Sequence, residues 1–178
     1  MDQYLKILES TVKANWDAVA LENYRGEQFK FGELASNIEK FHLFFEKAGV
    51  AKGDHISICA KNNARWALSF LSINTYGAVA VPILCDFLPD SILHLVNHSE
   101  SVMLFTDRDI WKKMDQSQLQ NVKAVICVND FTLLYSADQS ITSAFETLPD
   151  AFDSKYPMGF TRENVSYGVD DEKSVAVI

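Results

Sequence analysis

Residues 49–54 read Gly-Val-Ala-Lys-Gly-Asp, residues 55–63 read His-Ile-Ser-Ile-Cys-Ala-Lys-Asn-Asn, a Trp-led apolar run opens at Trp66, and residues 77–82 read Gly-Ala-Val-Ala-Val-Pro. Helix stop, strand, helix start, helix stop and second strand follow one another here with almost no spacer. Gly49 falls where a helix beginning near Glu33 has to end, because glycine tolerates the left-handed backbone that closes a helix. His55 to Ala60 is short and carries two isoleucines, which suits a buried strand. Asn62 and Asn63 offer acceptors to the free amides of the next helix, Gly77 closes that helix, and Ala78 to Ile83 is a second β-prone run. This is one βαβ unit. Strands joined by such a crossover lie parallel, and a parallel sheet is covered by helices on both faces, so the expected fold is α/β with a doubly wound, mostly parallel sheet.

Outward from this unit the pattern stays regular. Met1 to Lys13 is predicted as a short amphipathic helix, and Ala18 to Glu22 and Gln28 to Phe31 flank Tyr24-Arg25-Gly26 as a hairpin. Between Glu33 and Ala48, Leu34, Ile38, Phe41, Phe45 and Ala48 recur at steps of four and three, one face of a helix that packs on the sheet. Downstream the pattern predicts a helix from Pro89 to Ser99, a strand Val102 to Thr106, a helix Arg108 to Leu119 and a strand Ala124 to Val128. From Asn129 to Asp170 it fades into expected loops and one short helix, Ile141 to Leu148, punctuated by Pro149, Pro157, Gly159 and Gly168.

Composition bounds the function classes. The 178 residues are 48% hydrophobic and 22% charged, enough to fill one core and keep a polar surface. A net charge of -8 argues against nucleic acid and against anionic lipid, both of which need a concentrated basic face. Met1 to Trp16 mixes charges into its apolar pattern and is no signal peptide. Trp66 to Cys85 runs without a charge, yet Asn74, Thr75, Gly77 and Pro82 fall in its second half, where the pattern turns strand-like; a buried helix followed by a buried strand explains it better than a transmembrane span. Cys59, Cys85 and Cys127 are an odd number without Cys-x-x-Cys spacing, which suits a reducing, cytoplasmic compartment.

The chain offers little chemistry of its own. It contains no Gly-x-Gly and no Gly-Lys-Ser/Thr, hence neither a dinucleotide fingerprint nor a Walker loop. His94 and His98 stand four apart on a predicted helix, a spacing that lets two imidazoles share a metal, but they point away from the apolar face and no third ligand lies nearby in sequence. They read as surface. His42 and His55 are isolated and read as core-edge or surface residues. Asp86, Asp107 and Asp109 follow predicted strand ends, the side where open parallel sheets bind ligands, though capping and loop solvation explain them as well. Phe41 and Phe45 read as core packing, and Asp170-Asp171-Glu172 as a solvated turn. No residue is assigned as catalytic, cofactor-binding or metal-binding.

Glu33-Leu34, Ala48-Gly49-Val50, Lys52-Gly53-Asp54, Lys61-Asn62, Trp66 and Gly77-Ala78-Val79-Ala80-Val81-Pro82-Ile83 together resemble the N-terminal part of the adenylate-forming (AMP-binding) enzyme superfamily, and within it long-chain fatty-acid CoA ligases. The resemblance runs from about Phe29 to Asp107 and again over Ser174 to Ile178. Two positions depart from it: Lys30 stands where members usually carry a capping Thr, and Arg65 where an acidic residue usually precedes the Trp. Each is expected to weaken a helix start slightly.

The resemblance implies that residues 1–178 are a single N-terminal α/β subdomain, truncated just before the phosphate-binding loop, from an enzyme that joins a fatty acid or other carboxylic acid to CoA. ATP, Mg and CoA are then needs of the full-length parent. The missing remainder packs on this domain, and the fragment alone is expected to be inactive. Two other readings stand beside it: a complete nucleotide or small-ligand binding module, and a non-catalytic interaction module on the same scaffold. Oligomeric state stays open.

Overall fold

The computed structural model describes residues 4–168 and 176–178. The helix α1 (Tyr4–Ala14) leads into a hairpin, β1 (Val19–Glu22) with β2 (Gln28–Lys30), and then α2 (Phe31–Lys47), β3 (His55–Cys59), α3 (Ala64–Tyr76), β4 (Val79–Pro82), α4 (Pro89–His98) and β5 (Met103–Thr106). After these come α5 (Arg108–Trp111), β6 (Ala124–Cys127), β7 (Leu133–Ser136), α6 (Gln139–Glu146) and α7 (Leu148–Lys155). The central sheet has the order β4-β3-β5-β6-β7. Its first three pairings are parallel and β6 with β7 is antiparallel. This is the expected α/β fold with a mostly parallel sheet.

The two faces of the sheet are filled by alternate residues of the same strands, as the pleat requires. Ile56, Ile58, Ala80, Met103, Phe105 and Ile126 meet the cluster built from α2 and α3. Cys59, Val81, Leu104 and Val125 meet Ile92, Leu93 and Val96 of α4 on the other face. Nearly all are wholly buried, which is why the strands read as continuous apolar runs. Burying one such Ile or Phe contributes about 1.5 to 3 kcal/mol.

The punctuation works as the sequence suggests. Gly49 has φ +67°, and the Val50 N–H donates to Phe45 O at 2.9 Å, a Schellman closure of α2. Gly77 has φ +88° and closes α3. Asn63, rather than Asn62, caps α3, its Oδ1 accepting from Trp66 N at 2.9 Å. Asn23 from the hairpin accepts from Ala64 N at 2.8 Å. The helix α2 starts at Phe31, two residues before the expected Glu33, because Glu33 Oε2 accepts from Lys30 N at 2.8 Å and so caps the helix from within.

Two helix expectations need correcting. Arg65 at the start of α3 is no simple penalty: it donates twice to Glu27, at 2.8 and 2.6 Å, and its guanidinium lies 4.9 Å from the Phe131 ring centroid. The helix expected over Arg108 to Leu119 is one turn, α5, followed by a 3-10 turn at Gln116–Gln118. Asp115 competes with helix formation there, accepting from Ser117 and Gln118 side chains at 2.6 Å each.

The region after Asn129 is more ordered than its composition implies. It holds β7, α6 and α7, with Asp138 capping α6 through Ile141 N and Pro149 seated in the first turn of α7, where proline is tolerated. At the far edge, Ala176 O accepts from Ala80 N and Ile178 N donates to Ala80 O, so this segment lies parallel to β4. Asp170-Asp171-Glu172, Ser174 and Val175 lie outside the described residues.

Candidate functional site

From β3 the chain crosses to β4 on one side, then passes β3 again to reach β5 on the other. Loops leaving neighbouring strands in opposite directions open a crevice at the carboxyl ends of those strands, where sheets of this kind hold ligands. Here that end is formed by residues 60–63, 83–86, 107 and 129–132. Beside that crevice, between the loops after β3 and β4, a cleft of about 410 Å³ opens, lined by Lys61, Asn62, Trp66, Leu84, Cys85 and Asp86. Trp66 is held flat against Phe70, ring centroids 5.6 Å apart and planes 9° from parallel.

Most charged groups beside the cleft are used to fix loops. Asp107, only 8% exposed, accepts from Lys61 N at 2.9 Å and from Asn129 Nδ2 at 3.0 Å, tying the turn after β3 to the turn after β6. Asn129 Oδ1 in turn accepts from Arg108 N, and the Arg108 guanidinium donates to Asp130 and Thr132, both at 2.8 Å. Thr106 Oγ1 donates to Cys59 O at 2.8 Å. Phe131 adopts φ +56° to close the last turn. Of the three aspartates singled out in sequence, Asp107 is thus a joint, Asp86 lines the cleft and Asp109 is exposed on α5.

The nucleophiles are muted. Burial pushes the Cys59 thiol up to about 12, with Cys85 and Asp107 adding to the shift, so it stays protonated and unreactive. Burial likewise raises Cys127, which sits in β6 with its Sγ 3.4 Å from Asn129 Oδ1. The four histidines do not converge. His42 Nε2 lies 3.1 Å from Ser72 O and 3.0 Å from Thr75 Oγ1 between α2 and α3, and His55 Nδ1 lies 2.6 Å from Ser99 O. His94 and His98 are exposed on α4, as their spacing suggested. Phe41 and Phe45 pack in the core.

Among the described residues no group of three or more His, Cys, Asp or Glu is placed to hold a metal ion. Nor do the loops around the cleft carry a glycine-rich run whose amides cradle a triphosphate. The described residues therefore do not fit Mg or ATP phosphates by themselves. The cleft offers an ammonium, an amide, a carboxylate and an indole at its rim. The sequence reading missed Asn23, Glu27 and Asp107 as the residues that lock its walls; the one visible signal was Arg65, a cation in a helix's first turn that needs an anion nearby.

A family model described as "AMP-binding enzyme" matches residues 8–173. The crotonobetaine/carnitine–CoA ligase of Proteus mirabilis is 28% identical over 91 residues, 50% of this chain and 18% of that protein. A medium/long-chain-fatty-acid–CoA/3-oxocholest-4-en-26-oate–CoA ligase of Mycolicibacterium smegmatis is 23% identical over 126 residues, 70% of this chain and 23% of that protein. The crystal structure of a long-chain-fatty-acid–CoA ligase from Archaeoglobus fulgidus superposes with a TM-score of 0.69 at 16% identity, over 99% of this chain and 36% of that one. At that identity the likeness shows the fold alone. The chain spans about a fifth of the length of the curated relatives it matches.

Proposed function

This chain belongs to the AMP-binding enzyme family, and from that premise we propose that it is the N-terminal α/β layer of an AMP-forming acyl-CoA ligase. In the proposed reaction a carboxylate attacks the α-phosphate of ATP, pyrophosphate leaves, and the CoA thiol then displaces AMP from the acyl-adenylate to give a thioester. A long-chain fatty acid is the proposed substrate, on the strength of the fatty-acid ligases among the similar proteins. ATP, Mg and CoA are needs of the whole enzyme.

The observation that carries the reading is the family match over residues 8–173, which takes in the whole of the mostly parallel sheet. Leu84, Phe87, Leu88, Val177 and Ile178 are exposed large apolar side chains, and all five follow or flank β4. An apolar strip of this kind is where further protein packs. In this reading the remainder of the enzyme covers it and brings the phosphate-binding and metal-binding groups to the sheet's carboxyl end. This chain supplies the scaffold: Asp107 and the Arg65–Glu27 pair hold the loops that such groups would meet. Its three free cysteines suit a reducing compartment, which supports a cytoplasmic location. No helix among the described residues is long and apolar enough to cross a membrane.

The test is an acid panel on a full-length protein that contains this chain, with ATP, Mg and CoA supplied. Acid-dependent pyrophosphate release and thioester formation are expected, with a fatty acid preferred. No activity with any acid overturns the ligase reading, whereas preference for carnitine overturns the fatty-acid assignment only. Calorimetry on the 178 residues alone is expected to show no Mg-dependent ATP binding, and tight binding would make this chain a complete nucleotide module instead.

A further inference from the structure

The four histidines fall into two pairs with opposite situations. His42 and His55 have ring nitrogens occupied by protein partners. His94 and His98 make no hydrogen bond or ion pair among the described residues, and their contact is with each other: ring centroids 5.7 Å apart, planes 12° from parallel. They sit four residues apart on α4, whose Ile92, Leu93 and Val96 are buried against the sheet, so the backbone carrying both rings is fixed from behind.

Both rings line one surface hollow of about 500 Å³, shared with Asp90, Asn97, Gln118 and Gln120. Asn97 anchors its far wall, donating to Gln118 O at 2.9 Å and accepting from Gln120 N at 3.2 Å. Asp90, one turn before His94 on α4, puts a carboxylate on the rim of a chain whose net charge is -8.

We propose that His94 and His98 form an open two-nitrogen chelate for a borderline divalent cation, tightest for Cu²⁺ and weaker for Ni²⁺ and Zn²⁺. Imidazole suits these ions, and their order follows the general affinity series for such ligands. Residues four apart on a helix are side-chain neighbours, close enough for one nitrogen from each ring to sit about 2.0 to 2.1 Å from a shared ion. The rings now face one another. Exposed side chains change rotamer in picoseconds to nanoseconds, so turning both nitrogens inward moves no backbone. With two protein donors the remaining positions belong to water, and the ion stays open to an outside ligand.

Calorimetric titration of the tag-free chain with CuCl₂ in a non-coordinating buffer tests this. One saturable site per chain is expected, with weaker binding of NiCl₂ and ZnCl₂. His94→Gln and His98→Gln are each expected to lower Cu²⁺ affinity at least about tenfold, since even groups that only orient a metal ligand carry that much. Metal-free melting should be unchanged in both, because each side chain is exposed. No saturable site overturns the chelate. So does wild-type affinity in both variants, which would place the ion elsewhere, and so does a loss confined to one variant, which would leave a single-histidine contact.

Discussion

The parallel half of the molecule, β3 to β6 with α2, α3 and α4, and the antiparallel end, β7 with α6 and α7, are stabilised differently. In the first, strand residues on both faces are almost wholly buried, and the helices are closed by left-handed residues, Gly49 after α2, Gly77 after α3 and Glu100 after α4. In the second, all four residues of β7 are half-buried, and α6 and α7 reach α2 through a few buried residues, Ile141, Leu148 and Phe152, and a set of half-exposed contacts. Phe145 meets Phe44 edge-on at 5.2 Å, Lys155 and Tyr156 each donate to Glu39 at 2.7 Å, and Lys40 lies 5.0 Å from the Phe152 ring. The helix α2 serves both regions. The lesson is that one helix couples a dense layer, able to stand as the scaffold of a site, to an outer layer that covers it.

Substitutions on α2 and its partners should separate the two layers. Phe45 is fully buried and touches Phe41, Tyr76 and Phe105. Phe45→Ala is expected to remove about 3 to 5 kcal/mol from the urea unfolding free energy, the range for a buried aromatic deletion. Phe145→Ala, at a half-buried position of α6, should remove about 1 to 2 kcal/mol, below the value for full burial. Hydrogen exchange should then rise in α6 and α7 before it rises in β3. Equal losses, or exchange rising together everywhere, would show a single cooperative layer and break the comparison.

Legibility in sequence divides along the same line. Gly49, Gly77 and the apolar runs at His55 to Ala60 and Ala78 to Ile83 announce the parallel half, because a strand buried on both faces must be apolar throughout and its crossovers must stop sharply. Leu133 to Ser136 announces nothing comparable: a four-residue edge strand, half-buried throughout, carries Tyr and Ser, and its pairing is set by the turn at Phe131. Pro149 misleads in the same way, since its meaning as a helix starter depends on where α6 ends. At the cleft, Lys61 and Trp66 stood out in the chain only as residues that carry the family resemblance. The Asp107 joint could not be read from the chain, because its two partners come from separate loops, after β3 and after β6.

Acid offers a second way to sharpen the contrast, at the seam between α2 and α3. Burial lowers His42 from 6.5 to about 4, against the pull of Glu39 and the Ser72 carbonyl and with help from Lys52 and Lys155. The folded ring is neutral, while the unfolded ring takes a proton below about pH 6.5. The stability it contributes is therefore present above that pH and lost as pH falls toward the folded value. Between pH 7.5 and pH 5 the loss from this residue should be about 2 kcal/mol. His42→Gln should flatten the curve by that amount relative to the parent chain, carboxylate effects being common to both. Parallel curves would mean that His42 is solvated and the seam is looser than the core around it.

The smallest effect is expected at Tyr167, beyond α7 and against α1, and has the opposite sign. Tyr167 is 5% exposed, and its backbone N–H donates to Glu9 at 3.1 Å, yet its hydroxyl finds no hydrogen-bond partner among the described residues. Burial, with Glu39, Glu9 and Tyr4 nearby, pushes the phenol well above its ordinary range and keeps it neutral. A buried hydroxyl without a partner costs about 1 to 3 kcal/mol, part of which the ring's packing offsets. Tyr167→Phe keeps the ring and removes that oxygen, so stability should rise by about 1 kcal/mol. For a chain of this size that is an increase of about 2 to 4 °C in melting temperature. A fall instead would mean that a buried water satisfies the hydroxyl. The segment after α7 would then be as completely hydrogen-bonded as the parallel sheet, and its hold on α1 would rest on that water as well as on apolar packing.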